Sequence, residues 1–134
     1  PLAVQAASAV FESLLAQLLY ASTNREHGEG AAGMLVEAAV AYMREHLHGC
    51  PMHELSRRMC LSPRRFRSIF RTVTGKSPKQ FYDILRVNEA AWILQNRSTP
   101  IPLIAESLGY SSEFHFSRMF KKHFGIAPSR YRVS

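Results

Sequence analysis

The sequence is poor in the residues that covalent bracing and catalysis require. It has two cysteines in 134 residues, Cys50 and Cys60. That is too few for a disulfide framework and fits a reducing, cytoplasmic setting. Its ten acidic residues are scattered. No carboxylate pair, no nucleophile beside a base and no phosphate-binding glycine loop can be picked out, so an enzyme is not expected. Long apolar runs are missing as well. Residues 2–20 are broken by Gln5, Glu12 and Gln17 and lack a basic start, so they read neither as a membrane span nor as a signal peptide. No segment reads convincingly as a β-strand. One group has metal-binding residue types: His46, His48, Cys50 and His53. It straddles a helix end and a loop at a spacing that matches no zinc pattern. Histidines near the negative end of a helix are the simpler account, and neither metal nor cofactor is expected.

What the chain does have is charge of one sign. Its formal net charge is +7. Residues 1–33 hold one basic residue, Arg25, against Glu12, Glu26 and Glu29, so the remaining sixteen basic and seven acidic residues all lie in 34–134. A small domain this basic is attracted to polyanions, although a basic surface can also serve solubility alone.

Apolar spacing and helix-boundary residues predict an all-α fold. Val4, Val10, Phe11, Leu14, Leu15, Leu18 and Leu19 recur at helical intervals over 3–21. A polar, glycine-containing stretch at 22–30 reads as a linker, and a second helix is expected over about 33–48. Pro51 then opens a short helix to about 59. Ser62-Pro63 starts a helix ending near Gly75, and Ser77-Pro78 starts a long one to about Asn96. After a break at 98–102, a short helix ends at Gly109. Ser111 and Ser112 cap another that ends near Gly125, and Pro128 opens the last.

The chain also repeats itself. Residues 55–62 (LSRRMCLS) match 104–111 (IAESLGYS) at an offset of 49. After one extra residue, Phe66, Phe70, Gly75, Pro78 and Phe81 match Phe116, Phe120, Gly125, Pro128 and Tyr131 at an offset of 50. A short helix, a tight turn and a longer helix with aromatics four apart is the layout of a helix-turn-helix. The small residues Ser56 and Ala105 let the paired helices approach closely. The turn favours a residue tolerant of positive φ, which Gly109 supplies and Cys60 supplies less well.

With Ile104, Ala105, Gly109, Tyr110 and Ser111, then Phe116 to Lys122 (FSRMFKK), then Phe124, Gly125, Pro128, Tyr131 and Arg132, the chain resembles the AraC/XylS family of bacterial transcription regulators. Phe81, Arg86, Ala90, Ile93 and Leu94 fit the same pattern, and the resemblance covers about 34–132. Cys60 departs from it, as do Pro100 and Pro102 at the start of the second unit.

The resemblance implies a DNA-binding domain at 34–134. It has a first helix-turn-helix at about 51–75, a linker helix at about 78–96 and a second helix-turn-helix at about 101–125. Helices at about 63–74 and 112–124 would enter two successive major-groove segments about 34 Å apart. In the first, Phe66, Ile69, Phe70 and Val73 would face inward. That leaves Arg64, Arg67 and Ser68 for base edges and Arg65 and Arg71 for phosphates. In the second, Phe116, Met119, Phe120 and Phe124 would be buried. Phe114, His115, Ser117 and Arg118 are then expected at bases, with Glu113 either accepting from cytosine or complementing the helix dipole, and Lys121, Lys122 and Arg132 at phosphates. Residues 1–33 read as the tail of an effector or dimerisation domain, so any dimer would form N-terminal to residue 34. The expected partners are double-stranded DNA and, for an activator, RNA polymerase.

Overall fold

Serine caps and left-handed glycines divide the chain into helices with little ambiguity. The computed structural model describes residues 27–133, and the helix expected at 3–21 lies outside them. Seven helices and no strand occur among the described residues: α1 (His27–Glu45), α2 (Met52–Arg58), α3 (Pro63–Thr74), α4 (Pro78–Asn96), α5 (Ile101–Ser107), α6 (Glu113–Phe124) and α7 (Pro128–Val133). The Ser62 hydroxyl accepts from the Arg65 amide at 3.2 Å, and the Ser112 hydroxyl from the His115 amide at 3.0 Å. Ser77 and Gln80 form a reciprocal capping box at the start of α4. Gly75 and Gly125 end α3 and α6 at φ 78° and 84°. Each amide reaches back four residues, to the carbonyls of Arg71 and Lys121. With no Cβ, glycine adopts this conformation at little cost.

α1 differs from expectation at both ends. It extends back to His27, into the stretch read as a linker. No proline interrupts 27–33, so backbone bonding can continue even though each glycine there costs about 1 kcal/mol of helix propensity. The helix stops at Glu45 rather than near 48. From there His46 and Gly49 bond back three residues, to Met43 and His46, and tighten the chain into turns.

The helices pack around two cores. Val36, Ala39, Val40 and Met43 of α1 meet Leu55, Phe66 and Phe70 of the first helix-turn-helix in one. Ile104, Ala105, Leu108, Phe116, Phe120 and Tyr131 form the other. α4 serves both, giving Phe81, Tyr82 and Leu85 to the first core and Val87, Ala90, Ala91 and Leu94 to the second. Burying each large apolar side chain stabilises the fold by roughly 1.5–3 kcal/mol. Because one continuous helix threads both cores, the two units are held to a rigid spacer.

Candidate nucleic-acid interface

Each unit is built the same way down to its backbone bonds. In the first turn the amides of Cys60 and Leu61 bond to the carbonyls of Arg57 and Ser56. In the second, Gly109 and Tyr110 bond to Glu106 and Ala105. This paired closure ends a helix through a left-handed residue. Cys60 adopts φ 61° and Gly109 φ 75°. Ser56 and Ala105 are almost fully buried at the helix crossings. Tilted ring contacts join Phe66 to Phe70, with centroids 5.7 Å apart, and Phe116 to Phe120 at 5.8 Å. These rings fasten one side of α3 and of α6 to the core, and helical geometry turns the opposite side outward.

On α3 the outward side carries Arg64, Arg67, Ser68 and Arg71, all exposed. They line one concave surface together with Ser77 and Lys79 at the start of α4. Arg65 is also exposed, on the flank of the helix. Lys79 escaped notice in the sequence because it belongs to the first turn of the next helix. Ile69 and Val73, expected to be buried, are half-buried against the first core. No carboxylate lies on α3, so this surface is a concentrated positive field.

On α6 the outward side is mixed. Phe114 is 71% exposed, and the Arg118 guanidinium stands 5.8 Å from its ring centroid. His115 is half-buried. Its ring meets Tyr110 edge-on, with centroids 5.5 Å apart, and its Nδ1 shares a 3.2 Å hydrogen bond with the Ser111 hydroxyl. Ser117 is half-buried, whereas Lys121 and Lys122 are exposed. Met119 and Phe124 pack at the margin of the second core. Glu113 stands in the first turn of α6, where a negative charge complements the helix dipole.

Arg132 stands apart from this array. Its guanidinium donates to the carbonyls of Leu94, Arg97 and Thr99. Leu94 lies in the last turn of α4, Arg97 caps that helix and Thr99 follows it, so the arginine ties α7 to the C-terminal end of α4 and the segment beyond. The histidine and cysteine group also stays apart: no cluster suited to a metal ion occurs among the described residues. His46 instead bonds through Nδ1 to the Tyr42 carbonyl and stacks on the Tyr42 ring.

Sequence reasoning placed Arg86 within the family pattern without a role. Its side chain is buried where the two units meet. One guanidinium nitrogen donates to the Leu108 carbonyl at 3.1 Å, and the other pairs with Asp83 at 3.0 Å. The Tyr82 and Tyr110 rings flank it, with centroids 5.0 and 4.3 Å away. Burial pushes the pKa of both phenols up to about 12 despite the nearby cation, so neutral rings face Arg86 at neutral pH. A second inter-unit contact is tighter still. A Cβ on Gly109 would lie 2.0 Å from the His48 carbonyl oxygen. The second turn is therefore pressed against the segment that follows α1.

The arrangement can present two charged helices, at a set spacing, to a polyanion. Comparison with known proteins agrees with that capacity. A family model described as a helix-turn-helix domain matches residues 55–134. The MmsAB operon regulatory protein of Pseudomonas aeruginosa is 32% identical over 127 residues, 94% of this chain and 40% of its own length. Among solved structures, a transcriptional regulator from Chromobacterium violaceum, described as an AraC-type DNA-binding domain-containing protein, superposes with a TM-score of 0.73 at 28% identity. The match covers 78% of this chain and 94% of that one. The DNA-binding domain of AdpA, in complex with a target DNA, gives a TM-score of 0.70 at 29% identity, over 73% of this chain and 89% of that one. The chain thus spans about two fifths of the MmsAB regulator. No helix among the described residues is long and apolar enough to cross a membrane.

Proposed function

This chain belongs to the AraC/XylS family of helix-turn-helix transcription regulators, and from that premise we propose that it reads a specific DNA sequence with α3 and α6 in two successive major-groove segments. The observation that carries the proposal is the repeated construction. Two helices are each fastened by a buried Phe pair, and each turns a cation-bearing face away from its core. A basic surface kept for solubility has no reason to recur on matched helices with matched turns.

The two faces suit different bases. Arg64 and Arg67 offer planar donor pairs matched to the O6 and N7 edge of guanine, and Ser68 reaches a base or a phosphate. Arg118 supplies the corresponding donors on α6. Phe114 is apolar and exposed enough to meet a thymine methyl, and His115 and Ser117 complete that face. Arg65, Arg71, Lys121 and Lys122 grip phosphates and set the register. Arg132 acts indirectly, by keeping α7 on α4. In the intact regulator the bound domain raises transcription by contact with RNA polymerase in the cytoplasm. The operon-regulator relative supports a transcriptional role.

Selection of duplexes from a random library by the purified chain tests the reading. It should yield one non-palindromic site, bound with an affinity that falls steeply as salt rises. If the Arg64→Ala variant selects the same site with the same affinity, α3 is not a reading helix.

A further inference from the structure

The segment joining the two reading helices carries charge that base reading does not use. Lys76 precedes α4, and Lys79 lies in its first turn. Lys79 borders the concave surface of α3, together with Arg67 and Arg71. Lys76 and Gln80 border a second cleft, whose far wall is Met119, Lys122 and His123 of α6. The start of α4 is thus shared by both concavities and lies between the two helices. Lys76 and Lys122 are exposed and have no carboxylate partner among the described residues. The one carboxylate lining the cleft, Asp83, is matched on both oxygens, by Lys79 at 3.3 Å and Arg86 at 3.0 Å. His123 is exposed at the edge of the cleft, and partial desolvation there, followed by the Lys76 charge, lowers its pKa.

We propose that Lys76, Lys122 and His123 form a central phosphate clamp, which grips the DNA strand where it passes from the segment read by α3 to the segment read by α6. The inference rests on the reading of α3 and α6 as the DNA-contacting helices. A duplex that meets both must cross the space between them, and its minor groove and flanking phosphates face the protein there. Two free ammonium groups and an imidazole from separate elements then converge on a polyanion carrying one charge about every 1.7 Å of axis. Such a clamp adds affinity without reading bases. It also favours DNA whose central step allows a close approach.

A phosphate between the lysines would favour protonated His123 and raise its pKa in the complex. The charged groups facing this imidazole are Lys76 from the loop and Asp83 from α4, with Lys122 beside it on α6. Binding should therefore take up a proton and tighten as pH falls toward the His123 range.

The test uses the whole chain with its selected duplex, with an unrelated duplex, and with a selected duplex carrying one neutral methylphosphonate at the phosphate midway between the half-sequences. Lys76→Ala should weaken both unmodified duplexes about equally, by ~3–10-fold, and lower the log–log salt slope by about 0.9. The neutral phosphate should weaken the parent chain but add little to the loss in Lys76→Ala. His123→Gln should remove part of the tightening seen on acidification. An unchanged salt slope in Lys76→Ala, or the same methylphosphonate penalty in parent and variant, overturns the clamp. Arg64→Ala separates the two failures. If it still abolishes preference while Lys76→Ala does nothing, the clamp alone is wrong. If neither substitution matters, the reading of α3 is wrong as well.

Discussion

The two helix-turn-helix units part company where their first helices turn. Both close with the same two backbone bonds and a residue at positive φ, yet Gly109 is hemmed in by the His48 carbonyl while Cys60 is exposed. A left-handed non-glycine residue costs roughly 1–2 kcal/mol, which an open turn can bear because nothing else is displaced. At Gly109 the same substitution would also drive a Cβ into backbone. One unit thus tolerates a side chain that the other excludes, and the reason is their different neighbours rather than their own fold. A second contrast lies on α3 and α6. α3 concentrates arginine with no carboxylate, whereas α6 mixes Phe114, His115 and Arg118 behind an acidic first residue. The units should therefore recognise unlike half-sequences.

The contrast at the turn is the most exposed to test. Gly109→Ala should destabilise the domain by ~3 kcal/mol or more, the sum of backbone strain and a backbone clash, seen as a lowered urea midpoint. A loss below ~1 kcal/mol would mean that the second turn is as open as the first. Arg86→Ala should cost ~2–3 kcal/mol, because it strips a buried cation from Asp83, the Leu108 carbonyl and two rings. If the variant loses little stability and still unfolds in one coincident transition, the lock between the units does not run through this residue.

Arg64→Ala and Arg118→Ala should each weaken binding to the selected site by ~2 kcal/mol. The preference each relaxes should fall in a different half, and relaxation in the same half for both would erase the asymmetry. The smallest effect should come from Cys60→Gly. It relieves the left-handed strain and should stabilise by ~1 kcal/mol or less, offset by the greater freedom of glycine in the unfolded chain. Thermal denaturation of the two proteins side by side would show the sign.

Much of the fold could be read from local chemistry. Ser62, Ser77 and Ser112 cap helices because a short hydroxyl beside the first amides satisfies groups that water would otherwise hold. Gly75 and Gly125 end helices because they alone enter the left-handed region freely. The linker helix spans 78–96 as expected. The start of α1 was less legible, since Gly28, Gly30 and Gly33 argue for a linker while the absence of proline permits a helix. On α3 and α6, the exposure of Arg64, Arg67, Ser68, Arg71, Phe114 and Arg118 follows directly from the inward Phe pairs. The half-burial of His115 and Ser117 does not, because it depends on neighbours outside the helix period, Tyr110 in the case of His115.

The sequence by itself determined two copies of a capped helix pair, the aromatic face each would bury, and the arginine-rich and mixed faces left outside. Those features arise from contacts three to five residues apart, and such contacts are written in residue spacing. Only the tertiary structure decided how the copies meet. It put Arg86 on the Leu108 carbonyl, spent Arg132 on carbonyls at and just beyond the end of α4, and set the Gly109 turn against His48. Each of these joins residues twenty-two or more apart in the chain, through backbone carbonyls that every residue type carries alike. No pattern of side chains could announce them before the helices packed.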